Sequence, residues 1–529
     1  MIRFAVIADP HVHDCAWAPS GSGLRQAVRS LAETEKSTRV FNESVPAFKA
    51  ALDVAVEAGV RLVLLVGDLT DDGQRPNIAA ALAIIADYRA RYGLRVLATP
   101  GNHDFFAIFG RPQSKTFLAD GGEGVVVDSR TCSEAATLGT GEGLGLLSGL
   151  GFTPDPADLH WESPFGVDPD WDARTYPVSS PGGKAICRMI DASYLVEPVA
   201  GLWVLSLDAN VCVPRDDWSD PADPEQFYDP SKVGWDAVLR HRAHLLPWLA
   251  DVTRRARTQG KELVAFSHYP PLDVLGGSTR TEIPVFGKTG LAARMPRPAI
   301  AEALARAGLS LHFSGHLHVN DTARYHSAAG AFFNIAVSSP VGYGAAIKIV
   351  DLDAGAVHIR TMPLREAEGY DAAFALYRRE AAAQGKPPPP IAMAEDHGRF
   401  LDHHLRSLVQ HRYLAHEWPQ DMAAFVALSS MADLIALLGL DIEWAADFPL
   451  VSFVEDWYRL RKAGRLALAD ISAERFALYQ ELCSRLLPAG LEGVAARMAV
   501  VVELLAIYIN RLPNGDFTIL PSRDVVALS

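Results

Sequence analysis

The sequence predicts an α/β fold that carries a mainly helical C-terminal region. Three observations lead to this prediction. In the first hundred residues, short apolar strands alternate with amphipathic helices, which is the pattern of β-α-β units. Polar motifs follow the ends of several of these strands. Beyond Pro363 the apolar pattern becomes almost entirely helical.

The predicted elements of the first part of the chain build a buried sheet covered by helices. A strand at residues 4–8 is followed by an amphipathic helix at 44–58, and a strand at 62–66 with a helix at 78–92 repeats the unit. Right-handed crossovers of this kind leave the loops at the carboxyl edge of the sheet free for chemistry. The next predicted elements are strands at 96–99 and 204–207, a long helix at 234–258, and strands at 263–266, 309–313, 332–336, 346–352 and 357–362.

Two long segments interrupt this alternation. Residues 15–42 separate the first strand from the first helix, and residues 105–200 are rich in Gly, Pro, Asp and Ser. We expect the second segment to be a loop-rich insertion near the carboxyl edge, where long loops act as lids or set specificity. Disorder is the alternative interpretation of this segment.

The sequence divides into a first domain at residues 1–363 and a mainly helical region at 364–529. Helical periodicity begins at 370–383 and continues, after a proline-rich break at 387–390, to about Arg511 with almost no strand signal. The apolar stretch 494–509 contains Arg497 and Glu503 and is short for a bilayer, so it predicts a buried helix. Such a helix needs something to pack against, so we expect this region to support a homo-oligomer or to cover the site.

The composition is that of a globular protein with a negative net charge. Of 529 residues 49% are hydrophobic and 21% charged, and the formal net charge is -14 at pH 7, which repels polyanions, so no nucleic acid partner is expected. The five cysteines are scattered without a CxxC motif, which argues against a disulfide framework and a zinc ribbon. The first strand begins at once without a secretory leader, so we expect a cytoplasmic protein that does not bind a membrane.

Five short polar motifs carry the chemistry, and each follows a strand-like apolar run. In chain order they are Asp9-Pro10-His11, Gly67-Asp68, Gly101-Asn102-His103-Asp104, Ser267-His268 and Gly315-His316-Leu317-His318. Together they offer carboxylates, an amide oxygen and several imidazoles, which are ligands that hold two adjacent first-row metal ions. One His-x-His pattern would mean little, but five motifs in matching contexts predict a dinuclear metal site.

The position of each motif suggests a role for its side chains. A carboxylate can bridge two cations with its two oxygens, and Asp68, at a strand end, is the predicted bridge. Asp9 and His11 lie two residues apart on an extended segment, so they can address one metal from the same side. His316 and His318 have the same spacing.

The remaining motif residues complete the site. Asn102 supplies a neutral oxygen, and His268 supplies a further nitrogen. His103 is interpreted as a non-ligand, because a nearby imidazolium can donate to a phosphoryl oxygen or protonate a leaving group. Asp104, the next residue, is predicted to orient His103 and hold its charge.

This ordered set of motifs resembles the calcineurin-like metallophosphoesterase superfamily, and the resemblance covers residues 1 to about 362. It implies a β-sandwich flanked by helices, His103 as the catalytic histidine, and two metal ions, which in the family are iron, manganese or zinc. The resemblance implies one metal on Asp9, His11, Asp68 and His318, and a second on Asp68, Asn102, His268 and His316.

The chain also resembles bacterial phosphohydrolases and the cyclic-nucleotide and glycerophosphodiester phosphodiesterases of the superfamily. Those enzymes commonly follow the Asn-His-Asp motif with an acidic or basic residue. Here Phe105 and Phe106 follow it, which counts against a cyclic nucleotide as the substrate.

Three side chains outside the motifs are candidates for substrate binding. Arg39 and Asn42 lie in the first long loop, where an arginine can clamp a phosphate oxygen, although an ordinary salt bridge is the alternative. Phe105 can floor a pocket for an apolar leaving group, and core packing is the alternative.

Two further groups of residues have less specific patterns. Asp71 and Asp72 follow the predicted bridge, and they either bond to metal-bound histidines or cap the loop. His397, His404 and His411 recur every seven residues on a predicted helix, and we interpret them as a solvated or partner-facing surface.

The sequence therefore predicts hydrolysis of a small phosphodiester by in-line attack of a hydroxide that bridges two metal ions. A phosphomonoesterase acting on a metabolite or phosphoprotein is the alternative within enzymes. A nuclease is disfavoured by the net acidity and by the lack of a Lys/Arg-rich face. A non-catalytic scaffold would be expected to lose metal ligands, and none of the signature positions is missing.

Overall fold

Two seven-stranded sheets face each other and enclose the main hydrophobic core, so the predicted α/β sandwich is confirmed. The computed structural model describes residues 1–328 and 330–528. Phe4 of one sheet and Phe313 of the other meet edge to face, with ring centroids 6.0 Å apart. The strands are β1 (Ile2–Ile7), β2 (Leu62–Val66), β3 (Arg95–Thr99), β4 (Ser114–Leu118), β5 (Gly124–Asp128), β6 (His160–Glu162), β7 (Thr175–Ser179), β8 (Ile186–Ile190), β9 (Tyr194–Val199), β10 (Leu202–Ser206), β11 (Glu262–Ser267), β12 (Leu311–Ser314), β13 (Asp321–Ser327), β14 (Gly330–Ala336), β15 (Ala346–Asp353), β16 (Ala356–Pro363), β17 (Phe517–Ile519) and β18 (Val525–Ala527).

The sheet topology brings several strand ends to one edge. The first sheet has the order β18-β17-β16-β15-β1-β2-β3, and the second has the order β13-β14-β12-β11-β10-β9-β6. Within them β1, β2 and β3 are parallel, as are β10, β11, β12 and β14. Since parallel neighbours end at the same side of a sheet, the loops after these strands meet at one carboxyl edge.

Helices cover the outer faces of the sandwich and form a separate cluster near the carboxyl edge. Helix α3 (Arg75–Tyr92) covers the first sheet. It is capped by Gly93, whose backbone is left-handed (φ 66°). A π-helix at Val409–Glu417 continues the tenth helix. The α-helices are α1 (Leu31–Thr34), α2 (Ser44–Glu57), α3 (Arg75–Tyr92), α4 (Thr140–Leu147), α5 (Pro230–His241), α6 (Leu245–Thr258), α7 (Thr279–Phe286), α8 (Pro298–Arg306), α9 (Phe374–Ala383), α10 (His397–Leu408), α11 (Gln420–Leu428), α12 (Met431–Leu437), α13 (Leu450–Ala463), α14 (Ala473–Ser484) and α15 (Gly493–Asn510).

The long helix predicted at residues 234–258 is instead two helices, α5 and α6. The backbone leaves helical geometry at Gly234 (φ 42°, ψ −139°) and again at Arg242 (φ −104°, ψ 64°). The second break places the fully buried guanidinium of Arg242 against Asp191 at 3.2 Å and Asp208 at 2.8 Å. The break at Arg242 therefore coincides with two buried ion pairs. The apolar pattern of the sequence contains no sign of them.

The segment 105–200 is built into the fold and is more regular than the loop-rich interpretation suggests. It contains two hairpins, β4-β5 and β7-β8, and helix α4. Its strands β6 and β9 extend the second sheet beside β10. Disorder, the alternative interpretation, does not describe this segment.

The C-terminal helices pack directly against the carboxyl edge. Leu317 and Val319, which flank His318, belong to the same hydrophobic cluster as Trp457 of α13. Tyr377 of α9 and Phe400 of α10 belong to the main core between the sheets. The region from residue 364 is therefore joined to the sandwich through two cores.

The end of the chain returns to the first sheet, which the sequence did not predict. Residues 357–359 of β16 pair antiparallel with 517–519 of β17, and β18 adds the edge strand. Both strands lie beyond Arg511, where the predicted helical periodicity ends. Three-residue strands are too short to give a periodic hydrophobic signal.

Helix α15 is the apolar helix predicted at residues 494–509. Within the described residues it is the one helix long and apolar enough, by length and composition alone, to cross a membrane. Its residues Met498, Val501, Leu504, Leu505 and Tyr508 are buried in the helical cluster. The helix thus packs into this region through one face, and 33% of its residues are buried.

The interpretation of the histidine stripe as an exposed face is wrong for two of its three members. His397 is fully buried, with its Nε2 2.9 Å from the carbonyl oxygen of Pro340. His404 is also buried, with its Nε2 3.0 Å from the carbonyl oxygen of Thr34. Both rings bind α10 to the loops of the first domain, a long-range pairing that the seven-residue spacing does not encode.

Candidate metal centre

The predicted metal ligands gather at the carboxyl edge and are almost completely buried, each with at most 9% of its surface exposed. They lie in the loops after β1, β2, β3, β11 and β12. The structure therefore brings the predicted ligands together from five separate loops. They are Asp9, His11, Asp68, Asn102, His268, His316 and His318.

Asp9, His11 and His318 form the first group of potential ligands. One ligand atom from each lies within 4.8 Å of the others. The Nε2 atoms of His11 and His318 are 3.0 Å apart. The carboxylate of Asp9 accepts hydrogen bonds from the backbone N–H of His316 at 2.9 and 3.0 Å, which hold it in place.

Asp68, His268 and His316 form the second group. The Nε2 of His268 lies 3.1 Å from the Oδ2 of Asp68 and 3.1 Å from the Oδ1 of Asn102. It also lies 3.1 Å from the Nδ1 of His316. The Nδ1 of His268 is 3.1 Å from the carbonyl oxygen of Val66, so we assign the ring proton to Nδ1, which leaves the lone pair on Nε2.

Asp68 connects the two groups. Its Oδ2, 3.1 Å from the Nε2 of His268, is 3.7 Å from the Nε2 of His11 in the first group. Its Oδ1 accepts a hydrogen bond of 2.7 Å from the backbone N–H of His103. One oxygen of Asp68 therefore lies between the two groups, whereas the sequence predicted that each oxygen would serve one group.

The donor set fits two cations. The Nε2 atoms of His11 and His318 face each other, and the Nε2 of His268 faces the Oδ1 of Asn102 and the Nδ1 of His316. In these places lone pairs meet with few hydrogen-bond donors between them, and a bound cation would satisfy them. Three other buried ring nitrogens, Nδ1 of His11, Nε2 of His316 and Nδ1 of His318, have no hydrogen-bond partner in the described part of the chain. Imidazole nitrogens with carboxylate and amide oxygens suit first-row transition-metal ions.

The electrostatics of the cluster favour neutral imidazoles at His11, His316 and His318 and a positive charge at the position of His268. Burial, together with nearby positive groups, lowers the pKa of His11, His316 and His318 well below the usual value of a histidine. Burial also works against a charge on His268, but the carboxylate of Asp68 raises the pKa of His268 to about 9. The negative potential of Asp68 therefore draws positive charge to this position.

Five of the seven ligands have a left-handed backbone, which non-glycine residues seldom adopt. In the described residues only nine non-glycine residues have a positive φ, so the ligands account for most of them. Strain concentrated in this way is typical of a functional site. The five are Asp9 (φ 51°), His11 (φ 45°), Asp68 (φ 46°), His316 (φ 70°) and His318 (φ 52°).

The glycine of each Gly-containing motif makes room for a ligand from another loop. A Cβ at Gly67 would lie 2.6 Å from the Cγ of His268. A Cβ at Gly101 would lie 2.8 Å from the Cγ of Asp68, and a Cβ at Gly315 would collide with the carboxylate of Asp9. These glycines are therefore required by the close approach of the loops.

His103 lies at the exposed side of the centre, with 23% of its side chain accessible. Its ring centroid is 5.1 Å from that of His11. Its Nδ1 is 2.5 Å from the Oδ1 of Asp72 and 3.3 Å from the Nη2 of Arg39. Asp72 thus orients the ring and leaves Nε2 for another partner.

The predicted role of Asp104 is wrong. Its Oδ1 accepts hydrogen bonds from the N–H and hydroxyl of Thr70 at 3.0 and 3.2 Å, and its Oδ2 accepts one from the N–H of Gly101 at 2.9 Å. Asp104 therefore fixes the loops that carry Asp68 and Asn102. The carboxylate that holds His103 is Asp72, which comes from a different loop.

An ion-pair network that includes Lys115 of the insertion holds Asp72, the carboxylate that orients His103. The ammonium of Lys115, on β4, donates to Asp71 and to Asp72, each at 2.7 Å. Arg39 pairs with Asp71 at 2.5 Å, and Arg29 pairs with the same carboxylate at 3.0 Å. Burial works to raise the pKa of Asp72, but Lys115 and His103 hold that pKa well below its usual range.

The three candidate substrate-binding residues lie in different surroundings. Arg39 is at the site, and it also forms the salt bridge that was the alternative interpretation. Asn42 is buried, and its amide bonds to the backbone of Arg29 and to the hydroxyl of Tyr377. Phe105 is 2% exposed in the main core. Asn42 and Phe105 are thus used for packing, contrary to the substrate-binding prediction.

Lys115 is a functional residue that sequence reasoning missed. It lies in the insertion, where β4 is a short strand without a recognisable motif. A lone lysine in such a segment has no local signal, because its importance comes from two carboxylates in a distant loop. Asp72 could be singled out because it lies four residues after Asp68, but the sequence did not show that its partner is His103.

Residues 2–171 match the family model of the calcineurin-like phosphoesterases. Among solved structures, the chain is similar to a dimetal phosphatase from Danio rerio, at 14% identity and a TM-score of 0.38, over 68% of this chain and 96% of that one. It is also similar to the protein TT1561 of Thermus thermophilus, at 11% identity and a TM-score of 0.29, over 68% and 98% of the two chains. A third is purple acid phosphatase PPD1 from yellow lupin (Lupinus luteus) seeds, at 11% identity and a TM-score of 0.31, over 68% and 51%. No curated protein sequence matches the chain.

The matched segment contains four of the seven ligands and His103, while His268, His316 and His318 lie beyond it. The structure brings these three histidines to the same centre from the second sheet. The match to the calcineurin-like phosphoesterases thus covers residues 2–171 of the chain.

Proposed function

We propose that the protein hydrolyses a small phosphodiester with the help of two bound metal ions. The observation that carries this proposal is the position of Asp68 between the two ligand groups, 3.1 Å from His268 and 3.7 Å from His11. Two cations that share a carboxylate suit hydrolases in which water attacks phosphorus in line. Iron, manganese and zinc are the metals that this ligand set favours.

The side chains around the metals would divide the work of the reaction. When bound, the two ions would polarise the phosphoryl oxygens and make a water molecule more acidic. His103 would donate a proton to the leaving-group oxygen from Nε2, because Asp72 holds Nδ1 at 2.5 Å. Arg39, 3.3 Å from the same ring, would hold a permanent positive charge beside the phosphate.

A phosphomonoesterase is the second candidate, because positive side chains gather beside the catalytic histidine. Arg39, Arg111 and Lys115 outnumber Asp71 and Asp72, the two carboxylates with which they pair. A local surplus of positive charge attracts the dianion of a monoester more strongly than the monoanion of a diester. A nuclease remains disfavoured by the net charge of -14.

Metal analysis followed by a substrate panel tests the proposal. The purified protein would be loaded in turn with manganese, iron and zinc and assayed with bis-p-nitrophenyl phosphate, p-nitrophenyl phosphate and cyclic nucleotides. We expect two metals per chain and the highest kcat/KM for the diester. A higher value for p-nitrophenyl phosphate would replace the proposal by the phosphomonoesterase. Failure to bind two metals or to hydrolyse any of these esters would refute both.

A further inference from the structure

The C-terminal helices reach the metal centre through the end of α13. The backbone N–H of Asn320, two residues after His318, donates to the carbonyl oxygen of Lys462 at 2.8 Å. The side-chain amide of Asn320 donates to the carbonyl oxygen of Ala463 at 3.1 Å. Helix α13 therefore ends against the loop that supplies His316 and His318.

Lys462 is a buried cation without a partner, which distinguishes it from its neighbours on the helix. Arg459 pairs with Asp402 at 2.7 Å, and Arg461 pairs with Glu282 at 2.6 Å. Lys462 is only 5% exposed, yet within residues 1–328 and 330–528 its ammonium forms neither a hydrogen bond nor an ion pair. Glu417, the acidic residue whose charge acts on Lys462, pairs with an arginine instead.

Lys462 begins beside the loop of two metal ligands, because its carbonyl oxygen is 2.8 Å from the backbone N–H of Asn320, two residues after His318. Burial, with the charges of Arg461 and Arg412, lowers the pKa of Lys462 itself to about 8. A buried, unpaired ammonium is costly for folding, so its presence beside a ligand needs a reason other than stability.

We propose that Lys462 is a substrate-binding residue, and that its ammonium binds an anionic oxygen of the phosphate ester beside the group of Asp9, His11 and His318. This inference rests on the proposed function and adds to it a residue from the helical region. The substrate supplies the negative partner that the protein does not provide. The helical region, which the sequence assigned to assembly or to covering the site, then takes part in binding the substrate.

The variant Lys462→Met tests this role, because Met keeps the length of the side chain and removes the charge. We expect kcat/KM to fall about 10- to 100-fold, the range for losing one charge-assisted hydrogen bond. Inhibition by inorganic phosphate should weaken in parallel. The metal content should stay the same, and the melting temperature should stay the same or rise, because a buried charge has been removed. Lys462→Gln gives the same comparison if the Met variant is insoluble.

Lys386→Met is the matched control, because Lys386 is an exposed lysine of the same region. It should leave kcat/KM, phosphate inhibition and melting temperature unchanged. A Lys462 variant with normal kcat/KM and normal phosphate inhibition would overturn the inference. So would a variant whose lost activity is accompanied by a lower melting temperature or by lost metal. If the unaltered protein has no esterase activity, the proposed function fails first, and calorimetric titration of the unaltered protein and of Lys462→Met with inorganic phosphate still tests Lys462. Equal phosphate affinity of the two proteins would then overturn the inference.

Discussion

Gly67→Ala is the most direct test of how the centre is assembled, because it adds one methyl group behind one ligand. The new Cβ would lie 2.6 and 2.7 Å from the Cγ and Cβ of His268. Carbon atoms pack at about 3.5–4.0 Å, so the imidazole has to move by roughly 1 Å. That movement breaks the 3.1 Å contact between Nδ1 of His268 and the carbonyl oxygen of Val66.

The magnitude follows from these contacts. Alanine in the left-handed conformation of Gly67 (φ 74°) costs about 1–2 kcal/mol. The lost hydrogen bond and the displaced ring add roughly 1–2 kcal/mol. A ligand misplaced by about 1 Å should lower turnover on the order of 100-fold. We therefore expect a protein that folds, is less stable, and binds its second metal weakly.

Gly93→Ala separates the collision from the backbone strain. Gly93 has nearly the same conformation (φ 66°), and a Cβ there meets nothing within 4 Å. Urea unfolding, metal analysis and turnover would be measured for both variants. If Gly67→Ala kept two metals and full turnover, and lost no more stability than Gly93→Ala, the described packing of His268 against this glycine would be incorrect.

Three further variants test the bridge, the acid and the ion pairs. Asp68→Ala should remove both metals, since one carboxylate serves both groups; two metals and normal turnover would exclude this bridge. His103→Ala should keep the metals and lose turnover by roughly 100- to 10,000-fold, with smaller losses for good leaving groups; equal losses for p-nitrophenyl and alkyl esters would indicate charge stabilisation instead of proton donation. Lys115→Met should cost about 3–5 kcal/mol of stability at pH 7, because it leaves buried carboxylates without their ammonium. The folded pKa of Asp72 is depressed, so this stabilisation is present above about pH 4 and declines as the pH falls further, and urea unfolding in EDTA should show the two proteins converging there. A difference that stayed constant down to about pH 2 would contradict this account.

The strands and ligands of the centre could be predicted because their signals are local. Apolar runs mark β1, β2, β3, β11 and β12, and each is followed directly by its motif. Parallel strands then bring the motifs together without further information. Residue identities and strand order were therefore enough to predict which side chains meet at this edge.

The partner of His103 could not be predicted in the same way. Asp104 is adjacent in sequence, but its carboxylate bonds to Thr70 and Gly101. Asp72 reaches His103 because its loop lies beside that of Asn102, and Lys115 joins them from a hairpin. Such contacts depend on how distant loops approach each other, which no short sequence window contains.

The two final strands constrain how the molecule can be made. β16 ends at Pro363 and its neighbour β17 begins at Phe517, so the chain between them has to be synthesised before the first sheet is complete. During synthesis the edge of β16 stays open, and an open edge can pair with another chain. A chain that stops before Phe517 would keep its metal ligands and leave this edge exposed. We expect the nascent protein to rely on its helices, or on a chaperone, to cover β16 until the last residues emerge.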